Sequence, residues 1–203
     1  MNSVQNKRFE IISRQFTKVR KRSDGEDFVQ TFNFKTYDFI WQPPKTNETL
    51  YKLFTYFQKL FIDGIVRDEK ERKSPSSMKQ IFQETMEIGS DLITFAQEAN
   101  FEKSEKWQHT VVENYLMYND PKTLAVEIPV WNDEISGFID GLRYYKEIDE
   151  LEIIDFKPNA KNDKKAASQE YYYRKLLSEC TGISLNKIGA SYFDNHSAFK
   201  LIF

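Results

Sequence analysis

Apolar positions along the chain follow two rhythms. Over the first 118 residues they recur mainly at helical spacing. Phe9, Ile12, Phe16 and Val19 predict a helix within residues 1–22, broken by Ser23-Asp24-Gly25. Residues 27–41 (DFVQTFNFKTYDFIW) alternate in part, and Phe28, Phe32, Phe34 and Phe39 predict one or two short strands or an irregular aromatic segment. Pro43-Pro44 closes that stretch. Leu50, Leu53, Phe54, Phe57, Leu60, Phe61 and Ile65 predict an amphipathic helix over 46–66, capped by Thr46 or Asn47. The charged run 67–77 reads as an exposed connection. Helices are then expected over 77–99, on Ile81, Met86, Ile88, Leu92 and Phe95, and over 103–118, on Trp107, Val111, Val112, Tyr115 and Leu116.

From Thr123 the period shortens to two. LAVEIPVW, GFIDGLRYY and LEIIDFK read as three strands. Their connections, at Asn132-Asp133 and over 146–150, are short and polar, so the strands are expected as antiparallel neighbours. A helix follows over 164–179, ended by Cys180-Thr181-Gly182, and KIGASYFD and FKLIF close the chain as two strands. The expected fold class is α/β: a mixed central β-sheet flanked by helices, with a mainly helical N-terminal half. Residues 1–100 would form that helical region, packed on a core of residues 101–203. No internal repeat is present.

At 203 residues, with 40% hydrophobic and 15% aromatic content, the chain can bury a proper core. The single cysteine, Cys180, excludes an intrachain disulfide framework and a four-cysteine zinc or iron–sulfur site. No apolar run reaches membrane-spanning length, and MNSVQNKRFEII lacks the apolar core of a signal peptide. A cytoplasmic protein without a membrane partner is expected. Net charge is −2, so any contact with a polyanion must use local patches. Lys18, Arg20, Lys21 and Arg22 form one, which reads as a solvated helix end or arm. Lys157, Lys161, Lys164 and Lys165 form a second, beside clustered acids.

Those acids carry the chemistry. In LEIIDFK taken as a strand, Leu151, Ile153, Asp155 and Lys157 share one face and Glu152, Ile154 and Phe156 the other, so both faces are apolar and covered. A carboxylate there needs a cation or donors. Asp140 ends a similar run, and pairing through the short turn would bring it to Asp155. Two carboxylates at one point repel unless they share a proton or a divalent cation. Taken singly, each feature is ordinary: Asp140 at a turn, Asp155-x-Lys157 a same-face ion pair, Glu127 a solvent-facing strand residue, and His109 with Glu113 a surface pair four apart on a helix. Together they suit phosphodiester hydrolysis, in which Mg²⁺ or Mn²⁺ on oxygen ligands activates water and relieves phosphate charge. Asp140 and Asp155 would be ligands, with the Phe156 carbonyl and His109 as further ones and Glu113 and Glu127 as additional acids. Lys157 would orient or deprotonate the water, or steady the phosphate. Gln169 and Tyr173, one turn apart on the next helix, would hold a nucleic-acid backbone or a flipped-out end base, with Lys161, Lys164 and Lys165 on phosphates.

The ordered set GFIDGL, IIDFKPN and QEYYY resembles the RecB-like branch of the PD-(D/E)xK nuclease superfamily. That family's helix-borne histidine, Gly-x-x-Asp, Asp/Glu-x-Lys and Gln-x-x-x-Tyr fall on His109, Gly137 with Asp140, Asp155 with Lys157, and Gln169 with Tyr173. The resemblance covers about residues 103–194 and implies a restriction-endonuclease-like core. It also implies a Mg²⁺- or Mn²⁺-dependent deoxyribonuclease, without the iron–sulfur cluster of several relatives. The glycine usual before the histidine is missing, and no helicase motif is present. Single-stranded DNA or duplex ends are the expected substrate, with a homo-oligomer as one way for an acidic protein to hold DNA. A viral protein in a host cell is one setting that suits such a module. A structure-specific or restriction-type endonuclease is the alternative on the same fold. A non-catalytic DNA-binding or assembly protein, or a protein-interaction module, is the alternative of another class.

Overall fold

The computed structural model describes residues 10–21, 25–63, 72–99 and 105–203. In chain order its elements are β1 (Ile11–Lys21), β2 (Asp27–Tyr37), α1 (Glu48–Ile62), β3 (Thr85–Ile88), α2 (Asp91–Glu98), α3 (Glu105–Asn119), β4 (Thr123–Trp131), β5 (Ser136–Tyr145), β6 (Glu150–Phe156), α4 (Ala166–Thr181), β7 (Ile188–Phe193) and β8 (Ala198–Leu201). The strands form one eight-stranded sheet in the order β1-β2-β4-β5-β6-β7-β8-β3. The β6–β7 pair is parallel, with α4 as its crossover, and the other neighbouring pairs are antiparallel. This is a mixed sheet with helices on both faces, as expected from the sequence.

The two-sided apolar pattern of β6 explains the layers. Leu151 and Ile153 pack into one cluster with Leu53, Phe54, Phe57 and Leu60 of α1 and Leu176 and Leu177 of α4. Ile154 and Phe156 pack into a second with Leu92 and Ala96 of α2 and Val112 and Leu116 of α3. The expected cap of α1 is Asn47, whose Oδ1 accepts from Leu50 N at 2.8 Å. The expected stop of α4 is Gly182, in the left-handed region at φ 71° with its N–H bonded to Ser178 O.

The N-terminal half departs from expectation. The helix predicted within residues 1–22 is the strand β1 over its described part; Phe9 lies outside the described residues. Ile12 and Phe16 are four apart, a spacing that puts residues on one face of a helix and of a strand alike, and β-branched Ile11, Ile12, Thr17 and Val19 favour the strand. Full-length pairing with β2 settles the choice. The helix predicted over 77–99 is instead a short 3-10 turn at Pro75–Ser77, an extended segment, β3 and α2. Residues 81–85 alternate between half-buried and exposed, and Ser90 caps α2 through Leu92 N. So residues 10–99 are not a mainly helical unit: they contribute β1, β2 and β3 to the common sheet. Most of the charged run 67–77 lies outside the described residues.

Candidate metal centre

The site forms where β4, β5 and β6 run side by side. Val126 pairs with Gly141 and Ile128 with Ile139, while Gly141 pairs with Ile154. Continuing both registers by one residue sets Glu127, Asp140 and Asp155 in a row across the three strands. Glu127 has φ 51°, a left-handed conformation costing about 1–3 kcal/mol for a side-chain-bearing residue. Its carboxylate is held there by the backbone N–H of Asn33 on β2.

Asp140 is the hub. Its Oδ2 lies 3.1 Å from His109 Nδ1 and accepts the Phe156 N–H at 3.1 Å. The His109 ring stands edge-on to Phe156, with centroids 5.3 Å apart, which fixes its orientation. Ligand atoms of His109, Glu113 and Asp140 all lie within 4.8 Å of one another. Burial alone would raise the Asp140 carboxyl, but the hydrogen bond and charge of His109 outweigh it and hold the group well below the usual range. Burial likewise opposes charge on His109, and Asp140 overcomes it, so the imidazole is raised. Glu113 is pushed well up by burial and then by the charges of Asp140 and Glu127.

Asp155 lies deeper, at 1% exposure. The Lys157 ammonium is 2.6 Å from its Oδ2, out of hydrogen-bond alignment, so neither Asp155 oxygen has a directed donor. Burial, then the charge of Asp140, pushes its carboxyl up to about 7. Lys157 is held raised, because Asp155 and Asp140 outweigh its own desolvation. It also donates to Gln169 Oε1 at 3.4 Å. Tyr173 sits behind this pair, buried against Gly137. A Cβ at Gly137 would come within 2.6 Å of Tyr173 Cε1, so the glycine three residues before Asp140 lets that ring close on the strand.

His109, Glu113, Glu127, Asp140, Asp155, Lys157 and Gln169 therefore meet in one place. Phe156 joins through its N–H to Asp140 rather than through a carbonyl contact. Tyr173 is a wall of the site at 7% exposure, and its neighbour across the strand is Gly137. Lys161, Lys164 and Lys165 are exposed on the turn leading into α4, where Asp163 Oδ1 accepts the N–H groups of Lys165 and Ala166. Lys18 of the first basic patch is committed elsewhere, donating to Ser136 O and Oγ.

Three contributors went unforeseen. Lys35 on β2 opposes the charges of Glu113 and Glu127 and donates to Asn114 on α3. Asn33 fixes Glu127. Glu170 on α4 is fully buried and acts on Asp155 and Lys157. Its signal was present: Ala166, Glu170, Tyr173 and Leu177 recur on one helical stripe, where a glutamate is out of place.

Carboxylate oxygens with one imidazole are a donor set suited to Mg²⁺ or Mn²⁺. The two undirected oxygens of Asp155 are those a cation would satisfy. Among the described residues no helix is long and apolar enough to cross a membrane. Compared with protein-family models, curated proteins and solved structures, the chain matches none of them.

Proposed function

We propose that the protein is a Mg²⁺- or Mn²⁺-dependent deoxyribonuclease of RecB-like type that hydrolyses phosphodiester bonds, acting from DNA ends or on single strands. One observation carries this reading. His109 from α3, Asp140 from β5, Asp155 and Lys157 from the end of β6, and Gln169 and Tyr173 from α4 are the residues singled out by the motif, and they converge on one cluster. Surface acids met by chance would not be buried together with a lysine aligned between Asp155 and Gln169.

Asp140, Asp155 and His109 would hold the cation. When bound, it supplies positive charge for the phosphate oxygens and lowers the pKa of a water. Lys157 keeps its proton, because two carboxylates stabilise the ammonium. It therefore acts as a donor that orients the water or the phosphate, not as a base. Gln169 fixes the direction of that ammonium through its Oε1. Tyr173, packed on Gly137, limits how far α4 can move from β5.

The test is cleavage of end-labelled single- and double-stranded DNA with Mg²⁺, Mn²⁺ or EDTA, beside Asp155→Ala. Metal-dependent cleavage lost in the variant is expected. A linear substrate degraded while a circular one survives would assign end dependence; cleavage of both would assign an endonuclease. A folded protein that cuts nothing with either metal would leave DNA binding or assembly as the better account.

A further inference from the structure

We propose that Glu170 is a third carboxylate ligand of the divalent cation held by Asp140 and Asp155. The inference rests on the metal-dependent reading above and extends it to a residue outside the recognised motif. Glu170 is 0% exposed, and neither of its carboxylate oxygens has a hydrogen-bond partner. It lies on α4 directly after Gln169, the residue that receives the Lys157 ammonium, and one turn before Tyr173. The charges acting on it are those of Asp155, Lys157 and Asp140. Helix packing does not call for a carboxylate there, since Ala166, Tyr173, Leu176 and Leu177 make the apolar contact with the sheet.

Charge balance leads to the ligand. On this side of the sheet Asp140, Asp155 and Glu170 face a single ammonium, Lys157. His109 is engaged with Asp140. Buried like charges without a cation are unstable together. A divalent ion among the three carboxylates would satisfy the undirected oxygens of both Asp155 and Glu170 and leave Lys157 on Gln169. Oxygen donors in this number suit Mg²⁺ or Mn²⁺.

The experiment compares the full chain with Glu170→Gln, Glu170→Met and Asp155→Asn. Mn²⁺ binding is followed by the loss of the free-ion paramagnetic resonance signal, and thermal unfolding is recorded without metal. Glutamine keeps the shape and removes the charge; methionine fills the space with an apolar chain. Both Glu170 variants are expected to bind Mn²⁺ at least about tenfold more weakly than the wild type. Without metal, Glu170→Met is expected to melt at a higher temperature, because a repelling buried charge is gone. Wild-type Mn²⁺ affinity in the Glu170 variants overturns the proposal. A lower metal-free melting temperature for Glu170→Met also overturns it, because the carboxylate then serves the fold. If Asp155→Asn loses Mn²⁺ binding while the Glu170 variants keep it, only this inference fails. If the wild type binds no Mn²⁺, the nuclease reading fails with it.

Discussion

Gly137→Ala is the sharpest probe of how the site is closed. A Cβ there would lie 2.6 Å from Tyr173 Cε1, 2.9 Å from its hydroxyl and 3.0 Å from Pro75 Cδ. Carbon atoms in contact normally sit about 3.5–4 Å apart, so something must move. The Tyr173 ring is 7% exposed, wedged between α4 and β5, and has no open rotamer to swing into. Overpacking of this kind costs about 1–3 kcal/mol. Restricting the unfolded chain by removing a glycine returns about 0.4–1 kcal/mol, since Gly137 has no positive φ to lose. A net destabilisation of about 0.5–2.5 kcal/mol follows from these two figures. Urea unfolding of Gly137→Ala, Tyr173→Ala and the double variant measures it. In the double variant the clash has no partner, so the two costs should fall short of additivity by about 0.5–3 kcal/mol. Tyr173→Phe should give no such relief, because the closest contact is with ring carbon Cε1 and not the hydroxyl. A neutral or stabilising Gly137→Ala, or full additivity with Tyr173→Ala, refutes the close approach.

Further perturbations address the rest of the frame. Arg143 is 1% exposed and bonds Asp120 Oδ2 at 2.8 Å and Asp91 at 2.9 Å, so Arg143→Met leaves Asp120 buried without its cation. A loss of about 3–5 kcal/mol is expected in denaturant unfolding, and a loss below about 1 kcal/mol would contradict the ion-pair role. Asp91 feels burial, which raises its pKa, but hydrogen bonds from Arg143 and Lys122 win and lower it to about 2. Its contribution to stability is therefore present above the unfolded value of about 3.9 and fades as pH falls toward about 2. Urea midpoints across that window should fall less steeply in Asp91→Asn than in the wild type, and parallel slopes would dismiss the linkage. Asn47→Ala removes the α1 cap and bonds to Tyr144 and Asp149, and should cost about 1–2 kcal/mol; helix content unchanged at equal stability would argue otherwise.

The C-terminal half was legible because its pattern admits one reading. A period of two with β-branched residues and short polar turns specifies antiparallel strands, and IIDFK is apolar on both faces only if both are covered. The motif residues were legible for the same reason: a carboxylate inside an apolar run has a cost that calls for a partner. Residues 1–22 misled because a four-residue spacing serves helix and strand equally, and only the partner strand β2 decides. Residues 77–99 misled because β3 exists through its pairing with β8, which is more than a hundred residues away in sequence. Glu170 stood beside Gln169 in plain view, but its burial depends on how α4 is rotated on the sheet. That rotation is set by Leu176, Leu177 and Tyr173 against β-strand residues no local window contains.

That the N-terminal strands were hidden matters to the chemistry. The segment before α3 reaches the site in several separate places. Asn33 of β2 holds the Glu127 carboxylate beside Asp140. Phe32 stacks on Phe138, two residues before Asp140, with ring centroids 3.6 Å apart. Lys18 of β1 bonds Ser136, next to Gly137. Pro75 stands against the same glycine, and Ile81 N bonds Ser168 Oγ in the first turn of α4. Each contact fixes a residue adjoining a proposed ligand instead of contributing a ligand itself. Buried carboxylates that repel one another push their strands and helix apart, and the resisting contacts must come from elements that carry none of the charge. Strands β1 and β2 and the segment around Pro75 meet that requirement, so residues 10–99 act as the brace that keeps Asp140, Asp155 and Glu170 within reach of one another. A motif core confined to residues 101–203 would have the charges without the brace.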